Sequence, residues 1–209
     1  MQSKILITGI SGLLGVKLAL KFHKQGFKVF GVKQKGTKIP EEILKFKIFE
    51  GDICDEFFLD ESFQNIDTVI HTAALVSFDR RDKEDLFRIN TEGTKNVVNS
   101  CLKKSVNRLI YVSSVAALGR PKSTRPIKED IQWEESEYNT NYGYSKYLGE
   151  LEFWRGVEEG LNGFCVNPSI ILGCGVLTNS SNKLFKNRFK KIVPYTSGSI
   201  NVVDERDVV

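Results

Sequence analysis

Residues 4–25 hold the feature that constrains this chain most. The apolar, β-branched run "KILIT" leads directly into "GISGLLG", and a helical pattern follows. The glycines fall at 9, 12 and 15. Gly9 permits a tight turn, Gly12 lets a pyrophosphate approach the backbone, and Gly15 lets helix and strand pack closely. The backbone around Ser11, Leu13 and Leu14 then presents free amides and the positive end of a helix to an anion. A glycine triplet at a strand–helix junction is the context in which it binds a dinucleotide; the competing reading is a plain structural turn.

The rest of the chain repeats this alternation. Lys4 to Thr8, Lys28 to Val32, Phe46 to Phe49, Thr68 to His71, Arg108 to Val112 and Phe164 to Val166 read as strands. Their continuous apolar character suggests burial on both faces of a parallel sheet. Helical patterns lie at about 12–25, 56–63, 83–104 and 140–159, and the third carries one apolar stripe of Leu86, Ile89, Gly93, Val97 and Cys101. Strand–helix–strand order with right-handed crossovers predicts a doubly wound α/β sheet. The expected division is a dinucleotide-binding domain over 1–168, with 169–209 beginning a small substrate-binding lobe. Segment 115–137 is the longest irregular stretch, a length that marks functional or disordered loops.

Composition narrows the function classes. A chain of 209 residues that is 41% hydrophobic and 27% charged can bury a core and is not a disordered or fibrous protein. No stretch reaches the roughly 18 to 20 apolar residues of a membrane span, and the N-terminus reads as a strand rather than a signal peptide. Cys54, Cys101, Cys165 and Cys174 lie far apart, as expected for reduced thiols in a cytoplasmic protein. The net charge of +4 is too dispersed for nucleic acid but suits an anionic ligand. His23 and His71 are the two histidines, and with scattered cysteines they give a metal site no support.

Two positions bear on cofactor choice. After the second strand the sequence reads Lys33-Gln34-Lys35, where an acid would accept hydrogen bonds from a ribose diol. Ammonium groups at Lys33 and Lys35 favour a 2′-phosphate, hence NADP with NAD as the alternative; a solvated basic loop is the plain reading. Asp52 either accepts from an adenine amino group or caps the next helix.

Chemistry-bearing residues gather later. "NYGYSKYLGE" sets Tyr142 and Lys146 four apart on one helical face. A nearby ammonium and an oxidised nicotinamide would lower the phenol's pKa from about 10. The fifth strand ends in "YVSSV", bringing Ser113 and Ser114 to the carboxyl edge of the sheet, where ligands of open α/β sheets bind.

The ordered series "TGISGLLG", "GDI", "HTAA", "INTEGTKNV", "YVSS", "YGYSK" and "NPSIILG" resembles the extended short-chain dehydrogenase/reductase family, also called the NAD-dependent epimerase/dehydratase family. The resemblance implies a Rossmann fold and a Ser-Tyr-Lys catalytic set matching Ser114, Tyr142 and Lys146. It further implies a glycine motif at Gly9, Gly12 and Gly15, an adenine pocket at Asp52 and Ile53, and a wall beside the ribose at Ala73 and Ala74. Asn90 matches a family asparagine, suiting either a buried hydrogen-bonding role or a purely structural one. Asn167 and Pro168 match the segment leading from the nicotinamide toward the substrate, and His71 is expected to pack rather than react.

Sugar-nucleotide dehydratases of the family follow the catalytic hydroxyl with an acidic pair; Val115-Ala116 stands here, which disfavours water elimination. The wording is closer to the dihydroflavonol-reductase and hydroxysteroid-dehydrogenase branch. The implied activity is carbonyl–alcohol interconversion on a small organic substrate. A sugar-nucleotide epimerase with tightly held cofactor is the alternative, and a non-catalytic NADP sensor the third. Family members usually run well past "NVVDERDVV", and dimers through the two long helices are a family expectation. Segment 183–191, "KLFKNRFKK", reads as a solvated amphipathic helix or as a cation cluster for an anionic substrate.

Overall fold

The computed structural model describes residues 2–120, 127–131, 133–173 and 200–209. Six parallel strands, β1 Lys4–Thr8, β2 Lys28–Lys33, β3 Lys47–Glu50, β4 Thr68–His71, β5 Arg108–Val112 and β6 Gly163–Val166, form one sheet in the order β3-β2-β1-β4-β5-β6. The order reverses between β1 and β4, creating the crevice at which open α/β sheets take their ligands. The expected doubly wound Rossmann sheet is what forms.

Apolar strands with two buried faces explain the layering. On β1, Leu6 joins a core cluster with Phe63, Val97, Leu109 and Phe153, while its neighbours Ile5 and Ile7 join another with Leu14, Leu18 and Val29. Successive side chains point to opposite faces, so a continuous apolar run needs cover on both sides. Helices α1 Leu13–Lys24, α2 Glu56–Ser62, α3 Lys83–Phe87, α4 Gly93–Lys103 and α5 Asn141–Glu158 supply it.

One helix departs from the periodicity reading. The pattern over 83–104 predicts a continuous helix, but a π-helical turn at Arg88–Glu92 separates α3 from α4. The wider turn brings Asn90 into the buried face at 1% exposure and leaves Ile89 only half-buried. Inserted π turns of this kind recur at functional sites.

Beyond the sheet, β7 Ile170–Leu172 pairs in parallel with β8 Val202–Asp204, and a short helix, α6 Glu205–Val208, follows. Ile171, Val208 and Val209 pack on the α1-side core, and Lys17 of α1 pairs with Glu205 at 3.3 Å. Cys174 and the basic segment 183–191 lie outside the described residues.

Candidate active site

The turn after β1 is built by its glycines. Gly9 has φ +71, and a Cβ there would stand 2.7 Å from the Ala73 amide nitrogen; one on Gly15 would stand 2.3 Å from the Gly9 carbonyl oxygen. Only glycine allows this left-handed turn and close approach. The first-turn amides of α1, among them those of Leu13 and Leu14, thereby stand free of intrahelical acceptors beside the turn. The Leu14 side chain itself belongs to the core.

A cavity of about 270 Å³ opens over the carboxyl ends of the first four strands. It brings together Gly9, Ser11 and Gly12 with Lys33, Asp52, Ile53, Ala73 and Ala74, and adds Leu75, Arg88 and Ile89. Lys35 is exposed and does not line it, a departure from the expectation for that residue. Lys33 lines it but is not a free cation. Its Nζ lies 2.6 Å from Glu50 Oε1 and donates to the Thr37 carbonyl at 2.9 Å. The cause is register: Lys33 on β2 stands opposite Glu50 on β3.

Asp52 does not cap a helix; Asp55 caps α2 by accepting from the Phe58 amide at 3.1 Å. The Asp52 carboxylate instead accepts from the Cys54 amide at 2.9 Å and pairs with Arg88 at 2.8 Å. Burial raises its pKa, but the amide and the guanidinium outweigh that and hold it below the ordinary value.

The second cluster sits where β5, β6 and α5 meet. Thr140 caps α5, its hydroxyl accepting from the Gly143 amide at 3.0 Å. Gly143 has no side chain to collide with the Ala116 carbonyl, 2.8 Å from where a Cβ would stand, so α5 begins against the turn that follows Ser114. Tyr142 consequently lies within side-chain reach of Ser114. Ser113 is buried at 5% exposure, whereas Ser114 is half-buried.

Lys146, one turn on, is 1% exposed; it donates to the Val112 carbonyl at 3.0 Å and lies 4.4 Å over the Tyr111 ring. Burial lowers its pKa to about 8, against the pull of neighbouring Cys165 and Glu150. Burial raises the Tyr142 phenol, with the Ser114 side chain opposing.

Asn167 and Pro168 lie against the serine rather than the dinucleotide cavity. The Asn167 amide donates to the Ser114 carbonyl at 3.2 Å and to Glu150 Oε2 at 2.8 Å, and the Pro168 carbonyl accepts from Val115 N at 3.1 Å. Asn90 exchanges hydrogen bonds with the Leu75 backbone at 2.8 and 2.9 Å and donates to Ser145 Oγ at 3.0 Å, tying the cavity wall to α5. His71 is buried between Thr8 and Thr94, and burial lowers its pKa to about 3, so it is a neutral packing residue as expected.

A sequence profile of the NAD dependent epimerase/dehydratase family matches residues 5–201, nearly the whole chain. The chain belongs to that family. As an extended short-chain dehydrogenase/reductase it is similar to the anthocyanidin reductase of Arabidopsis thaliana, 33% identical over 69% of this chain and 46% of that protein. It is also similar to tetraketide alpha-pyrone reductase 2 of Arabidopsis thaliana, 38% identical over 62% of this chain and 44% of that protein. The chain thus spans about half the length of these relatives. Among solved structures, the Bordetella bronchiseptica enzyme WbmH in complex with NAD+ superposes with a TM-score of 0.83 at 25% identity, covering 100% of this chain and 70% of that one.

Within this family member, three site residues escaped the sequence reading. Arg88 is 36 positions from Asp52, and no local pattern signals that pair. Leu75 contributes through its backbone, which composition does not register. Glu150 carried a signal, because it lies four after Lys146 on the same helix. Among the described residues no helix is long and apolar enough to cross a membrane, and no group of His, Cys, Asp and Glu could hold a metal ion.

Proposed function

We propose that this family member is an NADP-preferring reductase that interconverts a carbonyl and an alcohol on a small organic substrate. The observation that carries the reading is the grouping of Ser114, Tyr142 and the buried Lys146 where β5 meets α5, on a fold whose strand ends carry a glycine-built cavity. Likeness to two plant reductases supports the reaction type.

The cavity fits the adenosine side of a dinucleotide, because the missing Cβ atoms at Gly9 and Gly15 keep a cradle open beside free helix amides. Gly12, Ser11 and the α1 amides would hold the pyrophosphate, Asp52 and Ile53 the adenine, Ala73 and Ala74 the ribose wall, and Lys33 a 2′-phosphate. Bound nicotinamide supplies a hydride donor or acceptor.

The protein's own part is orientation and proton transfer. Ser114 holds the substrate oxygen, Tyr142 gives or takes its proton, and Lys146, with the oxidised cofactor, offsets the burial that raises the phenol. A second cavity of about 310 Å³, lined by Ser77, Phe78, Arg80 and residues 139–141, adjoins Tyr142, whose ring meets Phe78 at 5.9 Å. It offers an entry for substrate.

Incubation with NADPH and a panel of aldehydes, ketones and UDP-sugars tests the reading. Stoichiometric NADPH loss with a carbonyl is the expected result. Sugar conversion without NADPH loss would make it an epimerase, and dinucleotide binding with no reaction across the panel would make it a sensor.

A further inference from the structure

We propose that Glu150 is a positioning residue for the catalytic set: its carboxylate anchors Asn167, through Asn167 the Ser114 carbonyl, and by its charge steadies the Lys146 ammonium. The inference rests on the Ser114, Tyr142 and Lys146 reading above and adds a fourth member to it.

Geometry carries the first half. Glu150 Oε2 accepts from the Asn167 amide at 2.8 Å, while the same amide nitrogen donates to the Ser114 carbonyl at 3.2 Å. One carboxamide therefore links helix α5 to the strand end that presents the serine. The other carboxylate oxygen sits 3.5 Å from the Trp154 indole nitrogen, which limits the carboxylate's freedom to turn away. Tyr142 and Ser114 belong to different elements, so their approach depends on α5 holding its distance from β5 and β6. The Glu150–Asn167–Ser114 chain spans that gap with side-chain and backbone atoms that do not touch the reacting centre.

Charge carries the second half. Lys146 is buried, and the titratable groups facing it are His71 from β4, Tyr111 from β5, Cys165 from β6, and Tyr142 and Glu150 from its own helix. His71 is neutral above about pH 3, the Cys165 thiol is pushed up to about 12, and burial raises both tyrosines. Glu150, one turn on from Lys146 along α5, is the one carboxylate among these groups. A buried ammonium without a counter-charge sheds its proton, and an uncharged amine would neither stabilise a phenolate nor donate as strongly to a ribose.

Glu150→Gln separates the two halves, since its side-chain carbonyl can still accept from Asn167 while the charge is gone; Glu150→Ala removes both. The titration of Lys146 is read by ¹³C NMR on protein labelled at the lysine Cε, with the resonance assigned through Lys146→Arg. We expect the midpoint, near pH 8 in the parent chain, to fall by about one pH unit in Glu150→Gln. It should not move in Glu152→Gln, whose carboxylate pairs with Arg155 instead. An unmoved midpoint in Glu150→Gln would overturn the electrostatic half. Turnover tests the other half: Glu150→Ala should lose about tenfold more kcat than Glu150→Gln, with KM for the dinucleotide little changed. Equal kcat in the two variants would overturn the Asn167 link. If the parent chain reduces no carbonyl, the function reading fails by itself, and the lysine midpoint still decides whether Glu150 governs Lys146.

Discussion

Lys33 and Glu50 face each other in the parallel register of β2 and β3, with Nζ 2.6 Å from Oε1. The cation that sequence reading assigned to a 2′-phosphate is thus already paired, at the rim of the cavity a dinucleotide would fill. Glu50 is half-exposed, so the pair is weak enough to be re-formed with a phosphate.

This pairing makes cofactor choice testable from both partners. Lys33→Ala should reduce NADP(H) affinity about tenfold and leave NAD(H) affinity nearly unchanged, the scale of one charge-assisted contact. Glu50→Gln should do the opposite, tightening NADP(H) by freeing the ammonium. Lys35→Ala should have little effect, because Lys35 stands outside the cavity. Calorimetry with both cofactors at fixed salt reads all three, and equal affinities throughout would remove Lys33 from the site.

Tyr142→Phe should cost about 10²–10⁴ in kcat with cofactor affinity retained, the usual contribution of a proton-transfer group. Tyr144→Phe is the internal control. Tyr144 is 40% exposed and packs against Phe87 and Trp133, away from Ser114. Steady-state kinetics on the two variants would refute the assignment if the order of effects were reversed.

Lys146→Met should stabilise the cofactor-free protein while abolishing its chemistry. Burial holds the folded-state pKa at about 8 against 10.5 for the free side chain, so at pH 7 the fold carries a disfavoured charge. Its removal should add about 1–3 kcal/mol, less the lost contact to Val112. Between pH 8 and 10.5 the unfolded chain binds the proton and the folded one does not, so parent stability rises with pH. The gap between parent and variant in urea unfolding should therefore close across that window. A variant less stable than the parent at pH 7 would contradict the prediction.

His71 should weaken the fold in acid. Its folded pKa of about 3 lies below the ordinary 6.5, so the unfolded state binds a proton that the folded state excludes. Stability from this group is full above pH 6.5 and is lost as pH falls toward 3, at a limiting slope of about 1.4 kcal/mol per pH unit. His71→Gln should flatten the acid limb of the stability curve by about one proton. An unchanged limb in chemical denaturation from pH 7 to 4 would show that His71 is protonated in the fold.

Local chemistry alone determined much of this protein. Six apolar strands, the glycine turn at Gly9, Gly12 and Gly15, and the Tyr142–Lys146 spacing are readable because each depends on neighbours a few residues away. The same holds for Ser114 at a strand end. The tertiary structure decided what depends on partners distant in sequence. Lys33 is neutralised by a residue on the adjacent strand, and Asp52 is turned from a cap into the partner of Arg88. Tyr142 is raised by burial that no spacing records, and Glu150 is joined to Ser114 through Asn167. Electrostatic and packing effects act through space, and the register of β2 against β3 or the depth of α5 exists only once the chain has folded.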